Sequence, residues 1–295
     1  MESVTGVGAF RAGWQHWKTD RKLIPAFRAL LHRALPPAIF EFVRMSWWCL
    51  WFYVPRTIAS WFQRSAPAVH GFGAGSGSEL VEVLRRLNTK APTKMCFAMT
   101  KHGSDKAHRW HNYTTVYSVL FKGLDNRNIR LFELGLGTNN PALASTMGAE
   151  GRPGASLRGW REIFPKGSVS GADIDRDILF QEDRIKTFYC DQLNSAAIRD
   201  LWARPELQEG ADVIIEDGLH TFEANISFLE GSLDYLRPGG FYVIEDIVHD
   251  TVEQWYERLK TVYAPRYPTL EFAFVRIPNK FNSYDNNLLV IRKPA

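Results

Sequence analysis

Residues 129–137, with the sequence IRLFELGLG, join a short apolar run to two closely spaced glycines. A run of this length that ends in turn residues is typical of a buried strand, and the glycines let the backbone turn sharply beside a ligand. Four later stretches repeat the scheme, with glycine or acidic side chains in their last residues, namely 168–175, 187–191, 212–220 and 240–246. Because helical patterns separate the five stretches, the sequence predicts an α/β fold with a mostly parallel sheet.

The C-terminal part of the predicted sheet follows a different pattern. Strands are expected at 269–277 and 286–292, and the segment between them is rich in turn residues and has no helical periodicity. Two strands joined in this way form an antiparallel hairpin, which we place at the edge of a seven-stranded sheet. A short helix is also expected at 177–184, between the second and third strands.

Composition divides the 295 residues into three parts. Residues 1–72 hold six of the ten tryptophans and nine basic against three acidic side chains, so this part carries +6 and the remainder of the +4 chain carries −2. Residues 73–78 (GAGSGS) have the composition of a flexible linker. The expected organisation is a helical, basic and aromatic N-terminal region (1–72), a linker (73–78) and a catalytic domain (79–295).

The most apolar stretch of the chain, MSWWCLWFYV at 45–54, is about half as long as a helix that spans a bilayer. Clustered aromatic residues beside basic ones are typical of segments at a membrane surface, and aromatic residues also dominate ordinary packing surfaces. We therefore expect the N-terminal region either to join the subunits of a homo-oligomer or to contact the inner face of a membrane peripherally. The first alternative is favoured.

Cysteine usage and charge indicate the compartment and exclude one class of substrate. The three cysteines, Cys49, Cys96 and Cys190, form no CxxC pair, which indicates a reducing compartment rather than a disulfide or zinc framework. The N-terminus has no pattern of a secretion signal, so a cytoplasmic location is expected. The slightly acidic balance after residue 72 argues against nucleic acid as a substrate.

Polar residues follow the predicted strands at their carboxyl ends, where open α/β sheets bind ligands. Asn140 stands where a dinucleotide-binding motif has its third glycine, so NAD is not expected. Acidic or amide side chains after the second and third strands suit a ribose diol and an adenine amino group, and a carboxylate in the first strand suits an ammonium group. This combination predicts S-adenosylmethionine, with a site that includes Glu133, Gly135, Gly137, Asp173, Asp175, Asp191 and Gln192.

The ends of the fourth and fifth strands carry three carboxylates, those of Asp217, Glu245 and Asp246. Oxygen ligands select a hard cation, so a magnesium or manganese site is predicted. Neighbouring strand residues point to opposite faces, and Glu245 and Asp246 can therefore share an ion only if the chain leaves the strand there. His220 is predicted to be a general base, because imidazole titrates near neutral pH. The alternative for His220 is a histidine bonded to backbone at a helix N-terminus.

These residues resemble those of a known family, the metal-dependent class I methyltransferases that O-methylate deoxysugars of macrolide antibiotics of the mycinamicin and tylosin type. The resemblance covers roughly residues 101–246. It rests on 103–106 (GSDK) with His111 and Tyr113, 156–160 (SLRGW), 171–173 (GAD), 191–192 (DQ), 217–220 (DGLH) and 245–246 (ED). The chain departs from the family in an insertion at 141–155 and in its tryptophan-rich N-terminal region.

The resemblance implies a Rossmann-like class I methyltransferase fold that binds S-adenosylmethionine, and it adds Ser156 to the cofactor site. It also implies that Mg²⁺ is held by Asp217, Glu245 and Asp246, with His220 as the base.

The acceptor implied by the resemblance is a hydroxyl of a sugar, in a surface glycan or a glycosylated natural product. Tyr113, Tyr117 and Trp160 are candidates to pack against the sugar ring. Two alternatives remain open. One is a metal-dependent methyltransferase of a catechol-like or other small natural product, and the other is a non-catalytic scaffold protein that binds S-adenosylmethionine.

Overall fold

A computed structural model describes residues 67–89, 91–107, 110–279, 281–282 and 284–295. Its strands are β1 (Ala68–Gly73), β2 (Arg130–Leu134), β3 (Ser168–Asp173), β4 (Gln181–Glu182), β5 (Ile185–Tyr189), β6 (Ala211–Glu216), β7 (Leu236–Ile244), β8 (Glu271–Arg276) and β9 (Asn287–Arg292). They form one sheet in the order β1-β8-β9-β7-β6-β2-β3-β5-β4. The neighbours β7-β6, β6-β2, β2-β3 and β3-β5 are parallel, which confirms the five predicted parallel strands.

Helices cover both faces of this sheet. The longer ones are α1 (Glu79–Arg86), α2 (Lys94–His102), α3 (Tyr113–Leu120), α4 (Ala155–Ile163), α5 (Ser195–Trp202), α6 (Phe222–Ser232) and α7 (Val252–Arg258), and α7 is continued by a π-helical turn (Leu259–Tyr263) and a short α-helical turn (Ala264–Arg266). Side-chain caps explain several starts: Asn194 accepts two backbone N–H bonds at the start of α5, and Thr221 accepts one at the start of α6. No helix in the described ranges is long and apolar enough to cross a bilayer.

The helices bury two separate apolar layers against the sheet. One layer contains Trp160 of α4 and Val213 of β6, and the other contains Trp202 of α5, Phe228 of α6 and Trp255 of α7. Residues of the central strands contribute to the two layers in alternation, for example Val213 to one and Ile214 to the other. This alternation is the two-residue period of a strand covered on both faces.

The C-terminal hairpin is antiparallel, as predicted, but it does not form the sheet edge. β9 pairs with β7 as well as with β8, and β1 adds a further antiparallel strand outside β8. The sheet has nine strands among the described residues rather than seven, because β1 and the two-residue β4 extend its edges. The predicted helix at 177–184 is also wrong: a 3-10 turn (Arg176–Ile178) and β4 occupy this segment.

The segment 73–78, predicted to be a linker, forms a hydrogen-bonded turn between β1 and α1. Gly75 and Ser76 donate backbone hydrogen bonds of 3.0 Å to Phe72 and Gly73, and Ser78 caps α1. A Cβ on Gly75 would overlap the backbone of Phe272 in β8, so this glycine serves close packing. β1 therefore belongs to the sheet, and a close-packed turn follows it, for which glycine and serine are as typical as for a flexible linker. The division of the chain into an N-terminal region and a catalytic domain remains a prediction. Most of the predicted N-terminal helical region (residues 1–66) lies outside the described residues.

Candidate active site

The glycine turn after β2 is pressed against the end of β6. Gly135 has a φ of +91° and Gly137 a φ of +80°, backbone values that favour glycine. A Cβ on Gly135 would overlap the carbonyl oxygen of Asp217, and one on Gly137 would overlap the sulfur of Met147. The glycine turn that is predicted to bind the cofactor and the predicted metal ligand Asp217 are therefore in direct backbone contact.

Two carboxylates at the end of β3 and just beyond it, those of Asp173 and Asp175, hold this glycine turn. Asp173 accepts hydrogen bonds from the backbone N–H of Leu136 at 2.7 Å and of Asp175 at 2.9 Å, and Thr138 donates its hydroxyl to Asp175. Burial raises the pKa of Asp173, although these backbone donors oppose the shift. A carboxylate has about four acceptor sites, so each Asp173 oxygen can accept a further bond from a ligand. The predicted cofactor residues Asp173 and Asp175 thus also shape the turn.

Gln192 connects the end of β5 with the loop after β6. Its amide nitrogen donates to Glu216 at 2.9 Å, and its amide oxygen accepts from the backbone of Leu219 at 2.8 Å. Both polar ends of this predicted cofactor residue are therefore engaged with protein. Its neighbour Asp191 is partly exposed and accepts a bond from the backbone of Leu193 at 3.0 Å.

Glu216 is a buried acid beside the candidate site that was not predicted from the sequence. It is fully buried, and it accepts hydrogen bonds from Gln192, Asn225 and the backbone of Gly218. Burial raises the pKa of its carboxyl group. Glu216 thereby fixes the loop that carries Asp217 and His220, and its place directly before Asp217 at the strand end was the available signal.

Apolar side chains stand exposed beside the acidic ends of β3 and β5. Ile174 follows Asp173 and is 45% exposed, and Leu193 follows Gln192 and is 57% exposed. They are two of the five large hydrophobic side chains with such exposure among the described residues. An apolar surface flanked by hydrogen-bonding groups is the usual composition of a small-molecule site.

Glu133 lies beneath the turn and is completely buried. Ser156 and Trp160 of α4 donate hydrogen bonds to its two oxygens, and the ammonium of Lys106 lies 3.7 Å from Oε1. Burial raises the pKa of Glu133, while Lys106 opposes that shift. Ser156, which was predicted from the resemblance, thus contacts the predicted ammonium-binding carboxylate.

Asp217, His220 and Asp246 converge at the other end of the site. His220 Nδ1 lies 3.4 Å from Asp246 Oδ2, and His220 Nε2 lies 3.9 Å from Asp217 Oδ1. One ligand atom from each residue lies within 4.8 Å of the others. His220 and Asp246 have φ values of +59° and +51°, in the left-handed region that few non-glycine residues adopt. β7 ends at Ile244, so the chain does leave the strand where the predicted metal site requires it.

Glu245 points to a neighbouring set of partners. Lys106 donates to its Oε2 at 2.5 Å, and Tyr117 donates to its Oε1. Lys106 also donates to Asp217, so the predicted ligands Glu245 and Asp217 share one ammonium group. Burial raises the pKa of Glu245 well above its usual value, against the effect of Lys106.

Asp246 is surrounded by donors from the start of α3 and from the residues just before it. Tyr113 donates to Asp246 and to the carbonyl of Asp285, and His111 Nδ1 lies 3.3 Å from Asp246 Oδ1. Burial raises the pKa of Asp246 to about 6, although His111 and His220 oppose the shift. Burial lowers the pKa of His220, but Asp246 and Asp217 outweigh it and leave that pKa above its usual value.

The expectation that Tyr113, Tyr117 and Trp160 pack on a sugar ring is wrong, because all three side chains are fully buried. Each donates its polar group to one acid of the site, Tyr113 to Asp246, Tyr117 to Glu245 and Trp160 to Glu133. A buried carboxylate needs such donors, and the apolar body of an aromatic residue fits the core around it.

The donor set fits a hard divalent cation. Asp217 and Asp246 supply carboxylate oxygens beside an imidazole, without a thiolate in the group. His220 Nδ1 is buried and has no hydrogen-bond partner among the described residues, although it faces Asp246. A buried polar atom of this kind calls for a partner, which an ion with its water ligands or a bound hydroxyl group supplies.

The strand order and the turn after β2 are those of the class I methyltransferase fold. The solved structure of the MycE methyltransferase from mycinamycin biosynthesis, in complex with Mg and SAH, aligns with a TM-score of 0.52 and 21% identity over 69% of this chain and 55% of that one. Its complex with Mg, SAH and mycinamycin VI aligns with a TM-score of 0.50. The predicted Rossmann-like methyltransferase fold is therefore confirmed.

No protein-family model matches the chain. Curated proteins share a higher sequence identity with it than the solved structure does. A tetracenomycin rhamnosyl 3'-O-methyltransferase of Streptomyces olivaceus is 33% identical over 190 residues, which are 64% of this chain and 46% of the relative. The mycinamicin VI 2''-O-methyltransferase of Micromonospora griseorubida is 34% identical over 46% of this chain and 32% of the relative. The resemblance to deoxysugar O-methyltransferases is thereby confirmed, and the chain spans less than half the length of these relatives.

Proposed function

We propose that the chain is an S-adenosylmethionine-dependent, divalent-metal-dependent O-methyltransferase that acts on a hydroxyl of a sugar. The observation that carries the proposal is the contact between Gly135 and Asp217, because it sets the cofactor turn directly against the acid, base and metal cluster. A methyl donor on the turn and a hydroxyl at the cluster would then be neighbours, which is the arrangement that methyl transfer requires.

The cofactor is proposed to lie along the carboxyl ends of β2, β3 and β5. Asp173 and Asp191 are candidates to accept hydrogen bonds from its ribose and adenine groups. The exposed side chains of Ile174 and Leu193 would flank the adenine ring. The remaining proposed contacts are at Glu133, Gly135, Gly137, Ser156, Asp175 and Gln192.

Asp217, Glu245 and Asp246 are the proposed ligands of Mg²⁺ or Mn²⁺. Such an ion, when bound, lowers the pKa of a coordinated hydroxyl group and fixes its position. Asp217 and Asp246 already face one point with His220, whereas Glu245 would first have to leave Lys106 and Tyr117.

His220 is proposed to accept the proton of the sugar hydroxyl. Transfer of the methyl group forms a carbon–oxygen bond and breaks the carbon–sulfur bond of the sulfonium, and the proton passes to the imidazole. Asp246 and Asp217 orient the ring and stabilise the imidazolium that results, as their effect on its pKa indicates.

The sugar acceptor is supported by the names of the curated relatives, which describe methylation of rhamnosyl and olivosyl groups. The test is methyl transfer from labelled S-adenosylmethionine to three acceptor classes: glycosylated macrolides, bacterial surface glycans and catechols. Labelling of a sugar class with no labelling of catechols supports the proposal. Labelling of catechols alone would replace the sugar by the small-molecule alternative. The matched variants are Asp217→Asn, which should be inactive, and Asp212→Asn at the opposite end of β6, which should be active.

A further inference from the structure

Lys106 is a buried cation that stands between both ends of the site. Its side chain is 2% exposed, and its ammonium contacts Asp217 and Glu245 at the metal end and lies 3.7 Å from Glu133 at the cofactor end. Buried charges are found paired because desolvation of an unpaired one is very costly. One ammonium group therefore forms ion pairs with three carboxylates.

The backbone around Lys106 is fixed, so its ammonium is held in place. Its N–H donates to the hydroxyl of Ser104 at 3.3 Å, and its carbonyl accepts from the backbone of Thr114 at the start of α3 at 3.3 Å. Gly103, which ends α2 with a φ of +89°, packs so closely on Arg152 that a side chain there would displace the arginine. These contacts direct the lysine from the α2–α3 connection into the site.

We propose that Lys106 is a positioning residue, an internal counter-ion that keeps the carboxylates of Asp217 and Glu245 in place until a divalent cation takes them over. The inference rests on the proposed function, because it concerns residues assigned to the metal. Without a cation or this ammonium, the carboxylates of Asp217, Glu133 and Glu245, the last two fully buried, would repel one another, and the strand ends that carry them would separate.

The positive charge of Lys106 should weaken the binding of a metal cation. In the metal-free protein Asp217 and Glu245 are already neutralised in part by Lys106, so an incoming cation gains less than it would from free carboxylates. Removal of the ammonium should therefore destabilise the metal-free protein and enlarge the stabilisation that a cation provides, since a ligand of the native state stabilises it according to its affinity.

The test compares Lys106→Met, which keeps length and removes charge, with the wild type in thermal unfolding with EDTA and with saturating Mg²⁺. We expect Lys106→Met to lose on the order of 10 °C in EDTA and to recover most of that loss in Mg²⁺. An equal loss in both conditions would show that the lysine only fills space, and would overturn the inference. The control is Lys101→Met, an exposed lysine paired with Glu162 at 2.8 Å, which should behave like the wild type.

A double variant tests the charge relationship without any metal. In EDTA, Lys106→Met combined with Glu245→Gln should be more stable than Lys106→Met alone, because one uncompensated carboxylate is gone. If Lys106→Met does not fold and the double variant does, the inference is supported. A double variant that is no more stable, or that also fails to fold, contradicts it. A wild type that responds to neither Mg²⁺ nor S-adenosylhomocysteine would instead refute the proposed function and leave the EDTA comparison valid.

Discussion

Gly135 lies so close to the main-chain carbonyl of Asp217 that no side chain fits between them. The same glycine donates its N–H to Ala172 of β3 at 2.8 Å, and Asp217 donates its N–H to Leu134 of β2 at 2.9 Å. Three strand ends are thereby locked together at the place where cofactor and acceptor are proposed to meet. Displacement of one end should therefore disturb both.

Gly135→Ala should damage cofactor and metal binding together. The methyl group would overlap Asp217, and the φ of +91° adds strain of about 1–3 kcal/mol. The control is Gly123→Ala, whose φ is +84° but whose Cβ would meet nothing within 4 Å, so it isolates the backbone strain. Calorimetry with S-adenosylhomocysteine and Mn²⁺ measures both sites. Normal binding of both ligands by Gly135→Ala would contradict the predicted coupling.

Gln192→Ala should lower the rate of the chemical step more than the affinity for the cofactor. Its amide joins Glu216 to the backbone of Leu219, so its removal should loosen the loop of Asp217 and His220. Asp191→Ala, a partly exposed neighbour, should affect cofactor affinity more. Single-turnover rates and S-adenosylhomocysteine affinities separate the two effects. If Gln192→Ala instead loses affinity for S-adenosylhomocysteine and keeps its single-turnover rate, Gln192 acts mainly as a direct contact of the cofactor.

His220→Ala should lower the chemical rate by about 10²- to 10⁴-fold and leave cofactor affinity nearly unchanged. A base must be unprotonated, so the wild-type rate should rise with pH through the imidazole pKa, and this dependence should disappear in the variant. His102→Ala, whose ring pairs with Glu162 at 2.9 Å on the outside of α2, is the control. If His220→Ala turns over normally with the wild-type pH profile, another group removes the proton.

Metal affinity should depend on pH through Asp246. Its pKa is raised to about 6, so below pH 6 the carboxyl group is protonated in the metal-free protein and must lose that proton to bind a cation. Below pH 6, the apparent affinity for Mn²⁺ should therefore fall by about tenfold for each pH unit. Above pH 6, Asp246 is already ionised and should contribute little to the pH dependence of this affinity. Mn²⁺ titrations at several pH values should show that the affinity of Asp246→Asn changes less steeply with pH than that of the wild type. An identical slope in the variant would assign the proton to another group.

Assembly through the N-terminal region remains a prediction, and the structure improves its test. Residues 68–73 form β1, so a deletion must stop at residue 66 to keep the sheet complete. A homo-oligomer that dissociates on this deletion supports assembly. Salt-sensitive flotation with anionic liposomes that the deletion abolishes supports membrane contact instead. A full chain that neither assembles nor floats contradicts both.

The sequence was sufficient for the features that depend on local pattern. The apolar runs and their acidic ends predicted the five parallel strands, and the spacing from Asp217 to His220 placed both in one loop. The pairing of Lys106 could not be read in this way, because its partners Asp217 and Glu245 stand 111 and 139 residues further along the chain. The same holds for β1, whose partner β8 begins about two hundred residues later.

The aromatic donors show a second limit of sequence reasoning. Tyr113, Tyr117 and Trp160 suit a sugar-binding surface by type, and only their burial shows that they hold Asp246, Glu245 and Glu133. Side-chain type alone does not tell which face of a helix meets the sheet. That depends on packing across the whole domain.

Asp217 and its neighbours are proposed to form a metal-dependent methyl-transfer site. The most direct measurement is transfer of labelled methyl groups from S-adenosylmethionine to a glycosylated acceptor, first with Mg²⁺, then with excess EDTA, and finally after Mg²⁺ is restored. We expect transfer with Mg²⁺, loss with EDTA, full recovery on restoration, and no transfer by Asp217→Asn in any condition. Undiminished transfer in EDTA, or by Asp217→Asn, would contradict the proposal.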